Sequence, residues 1–193
     1  VEPRQVEWAL RTVSEATSEH DAMAARGHLA VHAIGDGAVR MVLDAIERVR
    51  PRPDAMGITA RIEHCELIDP SDVPRFAELG VVCSVQPCHL LYDIEALRRY
   101  LPHRLERVLP LRELIDSGCK AGTLEVAERR ERAARGGSGR GEIWFGSDVP
   151  IVRPDAQDSV QAATKRRRVE MTEPQGIAMA QAISEEEAWA CFT

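Results

Sequence analysis

Four short apolar runs recur along the chain, separated by segments with helical periodicity. The runs cover residues 28–34, 59–66, 81–86 and 142–147, and each ends at Gly, Pro or a polar residue. Runs of this length are typical of strands buried on both faces, and strands that alternate with helices form parallel sheets. The sequence therefore predicts an α/β protein in which helices cover both faces of a parallel sheet.

The segments between the runs have apolar residues at three- and four-residue spacing, which indicates amphipathic helices. Asp69–Asp72 is predicted to be a turn that supplies capping residues. The predicted helices span 2–27, 38–49 and 73–79, with a mostly helical segment over 94–117 that is broken near Pro102 and Pro110.

Composition bounds the class of protein. The chain has 193 residues, 44% of them apolar and 29% charged, with a net charge of -6. A single domain is expected, and the acidity argues against nucleic-acid binding. No apolar run approaches the ~20 residues that cross a membrane, and no signal peptide is visible. Five cysteines without a CxxC pair favour reduced thiols and a cytoplasmic location.

One segment does not fit the strand–helix pattern. Residues 124–141 are rich in Arg, Glu and then Gly. We interpret this segment as an exposed insertion in a domain that covers 1–193, with disorder expected over 135–141. The basic run Arg166–Arg168 is interpreted as a solvated helix face rather than a binding patch.

Polar and ionisable residues follow each predicted strand. In a parallel β/α barrel the carboxyl ends of the strands share one rim, where catalysis occurs. Two imidazoles and a carboxylate on one rim can hold a divalent metal, although each residue taken alone is also compatible with a structural role. We assign His28 and His103 to that structural class and His20 to a helix surface. The rim candidates are His32, Asp36, Glu63, His64, Gln86, His89 and Asp148.

Four motifs sharpen this interpretation. VHAIGDGAV, RIEHCELI, VVCSVQPCHLLYD and WFGSDVPIV follow one another along the chain. In order and separation they resemble the strand-end motifs of the amidohydrolase superfamily, most closely family 3, the YtcJ-like metal-dependent hydrolases. The resemblance runs over 2–193 apart from the insertion. It implies a partial (β/α)8 TIM-like barrel made of strands five to eight with their flanking helices.

The resemblance also implies site residues. His32 and His64 would be ligands of a divalent metal, with zinc the expected ion. Asp148 would be the strand-eight carboxylate, which contacts the metal and its bound water and carries that water's proton as general base and then general acid. His64 and Asp148 would therefore be the catalytic pair. Gln86, His89, Asp36 and Asp93 would line the substrate pocket or support the metal ligands.

The expected activity is metal-dependent hydrolysis of carbon–nitrogen, non-peptide bonds in small amide-like molecules. The His-x-His pair of strand one and the bridging Lys or carboxylate of strand four are absent from the sequence. We therefore expect a half-barrel that associates with itself or with a partner that supplies the missing half. A catalytically incompetent half-barrel or metal-binding association module is the alternative, and a lyase or isomerase on the same scaffold is a third reading.

Overall fold

The computed structural model describes residues 3–18, 27–49, 58–123 and 141–192, which form a parallel sheet with flanking helices. The strands are β1 (Gly27–Ala33), β2 (Ile58–His64), β3 (Val82–Val85), β4 (Lys120–Ala121) and β5 (Glu142–Phe145). The α-helices are α1 (Pro3–Ser18), α2 (Asp36–Arg48), α3 (Val73–Leu79), α4 (Pro87–Tyr100), α5 (Leu111–Asp116), α6 (Ala156–Lys165) and α7 (Glu185–Ala190). Short 3-10 helices span Pro102–Arg107, Glu173–Gln175 and Met179–Gln181.

The predicted architecture is confirmed: every strand pairing is parallel, and the sheet is part of a TIM-like barrel. The strand order is β1-β2-β3-β5-β4, so the last two strands are exchanged relative to their order in the sequence. The edge strand β4 was not predicted, because two residues are too few to carry a periodicity. The predicted insertion precedes β5 and lies outside the described residues except for Gly141.

One predicted helix start differs from the structure, and one predicted helix end lies outside the described residues. Helix α4 begins at Pro87, seven residues before the predicted start, because proline is favoured in the first turn of a helix, where its missing N–H costs no hydrogen bond. Helix α1 is described only as far as Ser18. None of the helices in the described part of the chain is both long and apolar enough to cross a membrane.

The prediction that the whole sheet is covered on both faces is wrong for β1. Its residues alternate, with His28, Ala30 and His32 exposed and Val31 and Ala33 buried against the helices. Strand β3, in contrast, is buried throughout. The exposed face of β1 is the face that points into the barrel, and no described residues cover it.

The basic run after α6 is not the solvated face that was predicted. The Arg166 side chain is fully buried, and its guanidinium donates hydrogen bonds to the carbonyls of Val108 (2.5 Å) and Ile177 (3.3 Å). Burial lowers the pKa of Arg166 to about 9. The side chain therefore joins the end of α6 to the segment before α5 and to the C-terminal 3-10 helices.

A buried carboxylate joins α2 to α3. Asp72 is 2% exposed and accepts hydrogen bonds from Arg40 Nε and Arg75 Nη1, each at 2.8 Å. Arg75 also contacts Asp44 and Glu47 on α2. Asp72 occupies the N-cap position of α3, as predicted, but its side chain makes no capping hydrogen bond because these two guanidinium groups engage it.

We expect Asp72→Asn to lower the free energy of unfolding by about 1–3 kcal/mol, because it removes the charge that two arginines share. Denaturant titration measures the change. The control is Asp69→Asn, since Asp69 is 39% exposed and contacts Arg40 from the surface. Its effect should stay below about 1 kcal/mol. Equal losses in the two variants would contradict a special role for the buried carboxylate.

Candidate metal and catalytic site

The hydrogen-bond register of the sheet places the candidate residues along one edge. On the face that points into the barrel, His32 pairs with Glu63, Glu63 with Ser84, and Ser84 with Trp144. This row crosses four adjacent strands near their carboxyl ends. Because the strands are parallel, the segments that follow them meet at the same edge of the sheet.

Two histidines meet at this edge. His32 Nδ1 lies 2.8 Å from His64 Nε2, and the ring centroids are 5.0 Å apart. His64 is in register with Ala33, whose side chain is buried on the helix side. Regular alternation would therefore turn His64 away from His32.

The backbone at the end of β2 resolves this conflict. His64 has φ 76° and Cys65 has φ 48°, both in the left-handed region that non-glycine residues rarely adopt. The Cys65 amide donates to the carbonyls of Ala33 (3.0 Å) and Glu63 (3.1 Å), which fixes the turn. Strain of this kind costs about 1–3 kcal/mol per residue and is concentrated at functional sites. Here it accompanies an imidazole that reaches the edge of the sheet.

His89 extends the cluster. It lies in the first turn of α4, with its ring centroid 6.4 Å from that of His64. Its Nε2 is 3.3 Å from the Ser147 carbonyl oxygen, which follows β5. A carbonyl oxygen only accepts, so Nε2 carries the hydrogen in this contact. His89 therefore connects the ends of β2 and β5.

Asp148 follows β5 at the same edge and is exposed. Its backbone has φ 55°, and its carbonyl accepts a hydrogen bond from the Ile151 amide at 2.9 Å, which closes a turn. In the described ranges, no three His, Cys, Asp or Glu side chains converge as a set that could hold a metal ion. The structure thus brings His32 and His64 together without Asp148, whose assignment as a ligand stays a prediction.

The two histidines fit a metal ion as a pair of ligands. Two nitrogen ligands on one tetrahedral zinc lie ~3.3 Å apart, as follows from Zn–N distances of ~2.0–2.1 Å. The observed separation of 2.8 Å is that of a hydrogen bond between the two rings, so the nitrogens would have to move apart by about 0.5 Å to share a zinc ion. After such a shift, His32 and His64 could supply two of the four ligands of a tetrahedral site.

The two predicted pocket aspartates have different surroundings. Asp36 begins α2 and forms an ion pair with Arg104 at 2.7 Å, which ties the 3-10 helix Pro102–Arg107 to the end of β1. The Arg104 guanidinium and, secondarily, the Gly37 amide hold the pKa of Asp36 below its usual range. Asp93 lies on α4 near Glu66. Burial, and to a lesser extent the charge of Asp93, raise the pKa of Glu66.

Sequence reasoning missed a polar group on the inner face of the sheet. Arg61 Nε lies 2.6 Å from Glu63 Oε1, and Gln86 Nε2 donates to Glu63 Oε2 at 3.5 Å. The sequence predicts that Gln86 lines the pocket and that Glu63 lies at the rim, and it assigns no role to Arg61. The signal was available, because Thr59, Arg61 and Glu63 are polar at every second position of β2.

We expect Arg104→Gln to raise the pKa of Asp36 towards the ordinary value of ~3.9. Because the folded-state pKa is depressed, the ion pair stabilises the fold above that value and loses its effect as the pH falls through the folded pKa. Carboxyl NMR titration measures the shift. Arg99→Gln is the control, since Arg99 lies over the Tyr100 ring. An unchanged Asp36 pKa in Arg104→Gln would contradict the assignment.

The fold and sequence resemble those of known proteins. The chain is structurally similar to an uncharacterized metal-dependent hydrolase from Pyrococcus horikoshii OT3, with TM-score 0.66 and 24% sequence identity. The match covers 100% of this chain and 32% of the hydrolase. A second solved structure, of an uncharacterized metal-dependent hydrolase from Pyrococcus furiosus, is similar with TM-score 0.59 and 25% sequence identity. This match covers 95% of this chain and 31% of that hydrolase. The plant Protein LONG AFTER FAR-RED 3 of Arabidopsis thaliana is 31% identical over 138 residues.

The plant similarity covers 72% of this chain but 20% of the relative, so the chain spans about a fifth of that protein's length. The sequence model of the amidohydrolase family matches residues 21–123, which is more than half of the chain. The matched region contains β1, β2 and β3 with the candidate histidines. The chain therefore belongs to the amidohydrolase family, as a member of family 3 of that superfamily.

Proposed function

We propose that the protein containing this chain is a metal-dependent hydrolase that cleaves carbon–nitrogen, non-peptide bonds in small amide-like molecules. The observation that carries the proposal is the approach of His32 Nδ1 and His64 Nε2 to 2.8 Å at the carboxyl ends of two parallel strands. Neutral imidazole is the commonest side-chain metal ligand. The metal dependence stated for the Pyrococcus relatives agrees with this choice of cofactor.

His32 and His64 would hold a divalent ion, and zinc suits nitrogen ligands. When bound, such an ion polarises a scissile carbonyl and makes water more acidic. Asp148 is proposed as a third ligand and as the group that accepts the proton of the attacking water. As water adds to the carbonyl carbon and the C–N bond breaks, Asp148 would return that proton to the leaving nitrogen. Its exposed position at the edge of the sheet leaves the carboxylate accessible to substrate.

The proposed substrate pocket lies above the same edge. Gln86 and His89 begin the segment that crosses from β3 into α4, and the contact between His89 and the Ser147 carbonyl fixes one wall. Asp36 and Asp93 are proposed to line the outer part of the pocket, where Asp36 is held by Arg104. The five buried, unbridged cysteines agree with a cytoplasmic location.

We expect His64→Ala and Asp148→Asn to lower kcat/KM for amide hydrolysis by about 10²–10⁴-fold in the full-length natural protein. His64→Ala should also lower the metal content, whereas Asp148→Asn should retain bound metal. Product analysis and elemental analysis of the same samples measure both effects. Normal turnover by Asp148→Asn would contradict its role as base and acid.

The control for this experiment is His28→Ala. His28 lies on the same face of β1 as His32, four residues earlier, which places it about 13 Å from the rim. Neither turnover nor metal content should change. Release of a product other than the hydrolysed amide would favour a lyase or isomerase on this scaffold.

The exposed inner face of β1 supports the alternative, an association module. An uncovered sheet face and open sheet edges favour pairing with other chains. We therefore propose that this chain alone binds metal weakly, has little or no turnover, and associates with itself or with a partner that completes the barrel. Ala30 is exposed at the centre of this face.

We expect light scattering of the chain to give a mass that rises with concentration. Ala30→Lys should reduce this association, because it places a charge on the inner face of the sheet. Ala96→Lys, an exposed position on α4, is the matched control and should leave association unchanged. A concentration-independent monomer would contradict the proposal.

A further inference from the structure

Three polar side chains form a continuous group on the inner face of the sheet. The Glu63 carboxylate is held on one side by Arg61 Nε at 2.6 Å and on the other by Gln86 Nε2 at 3.5 Å. Glu63 is 9% exposed and Gln86 is 8% exposed. The carboxylate and the amide are thus largely shielded from water, whereas the Arg61 side chain is 38% exposed.

The chemistry of the group fixes the orientation of the Gln86 amide. A carboxylate that is paired with a guanidinium has no hydrogen to donate, so only the NH2 end of the amide can face it. The Gln86 carbonyl oxygen accepts no hydrogen bond from the described residues. Although Gln86 precedes α4, its side chain makes no capping hydrogen bond to that helix.

The free oxygen lies beside the candidate site. Glu63 is the register partner of His32, and His64 is the next residue along β2. Gln86 directly follows β3, and His89 is one helical turn further on. The amide oxygen is therefore a hydrogen-bond acceptor at the edge where the two histidines meet.

We propose that Arg61 and Glu63 are positioning residues that fix Gln86 so that its carbonyl oxygen accepts a hydrogen bond from the N–H group of a bound substrate. This inference rests on the proposed function and narrows its substrate class to amides that carry hydrogen on nitrogen. An ester of the same shape offers an oxygen in place of the N–H. Two acceptor oxygens would then face each other, and the Gln86 oxygen would stay unpaired once the bound ester covers it.

The probes are N-benzylacetamide and benzyl acetate, which differ only in the N–H group and the oxygen that replaces it. Equilibrium dissociation constants are measured by NMR titration of the metal-free, full-length protein, so that binding is followed without turnover. We expect the wild type to bind the amide about tenfold more tightly than the ester. In Glu63→Gln the new amide can both donate and accept a hydrogen bond. The Gln86 amide can then adopt either of its two orientations, and the preference for the amide probe over the ester probe should disappear.

Gln86→Met removes the acceptor at similar volume and should abolish the preference in the same way. The control is Glu95→Gln, which makes the same chemical change in an ion pair with Arg168 on the outside of α4. It should retain the tenfold difference. Equal binding of the two probes by the wild type, or an unchanged preference in both Glu63→Gln and Gln86→Met, would overturn the inference.

The same samples, loaded with zinc, are then assayed for hydrolysis. The quantity compared is the ratio of kcat/KM for the amide to kcat/KM for the ester. If Glu63→Gln lowers this ratio about tenfold relative to the wild type, the inference is supported. If Glu63→Gln keeps the wild-type ratio, the result counts against the inference. Preferential amide binding without any hydrolysis would overturn the proposed function and leave the binding role of Gln86 standing. The binding role of Gln86 and the proposed hydrolase function can therefore be refuted independently of each other.

Discussion

The hydrogen bonds between parallel strands are the constraint on which the candidate site depends. They align His32 with Glu63, Glu63 with Ser84, and Ser84 with Trp144, residues that are far apart in the sequence. A shift of one residue in any pairing would turn the row towards the helices, because alternate side chains point to opposite faces. The register therefore decides which polar residues can meet.

The charged side chains that contact the interior of the molecule perform two different tasks. Asp72 and Arg166 form hydrogen bonds to groups from neighbouring elements and hold helices in place around the sheet. Arg61 and Glu63, in contrast, face the inside of the barrel, where apolar side chains usually fill the space. Polar residues at that position do not build a core. Their location beside the two histidines is the observation from which we propose a role in binding.

The histidine pair shows how local strain and long-range pairing combine. Strand pairing alone would bury His64 with the helices, since its register partner Ala33 points there. The left-handed backbone at His64 and Cys65 ends the regular alternation and brings the imidazole to the rim. The strained turn is stabilised in two ways. The Cys65 side chain is fully buried, and the Cys65 amide donates a hydrogen bond to β1.

The sequence by itself determined the class of fold, most helix positions and the strand ends that carry the candidate residues. Apolar runs and helical periodicity are local properties, and the residues that follow a buried parallel strand necessarily lie at one edge. Tertiary structure alone decided that His32 and His64 touch, that Arg166 is buried, and that Glu63 joins Arg61 to Gln86. Each of these depends on strand register, a left-handed backbone or contacts between distant elements. The polar alternation of β2 marks one face of the strand, but it does not specify which residues of other elements meet that face.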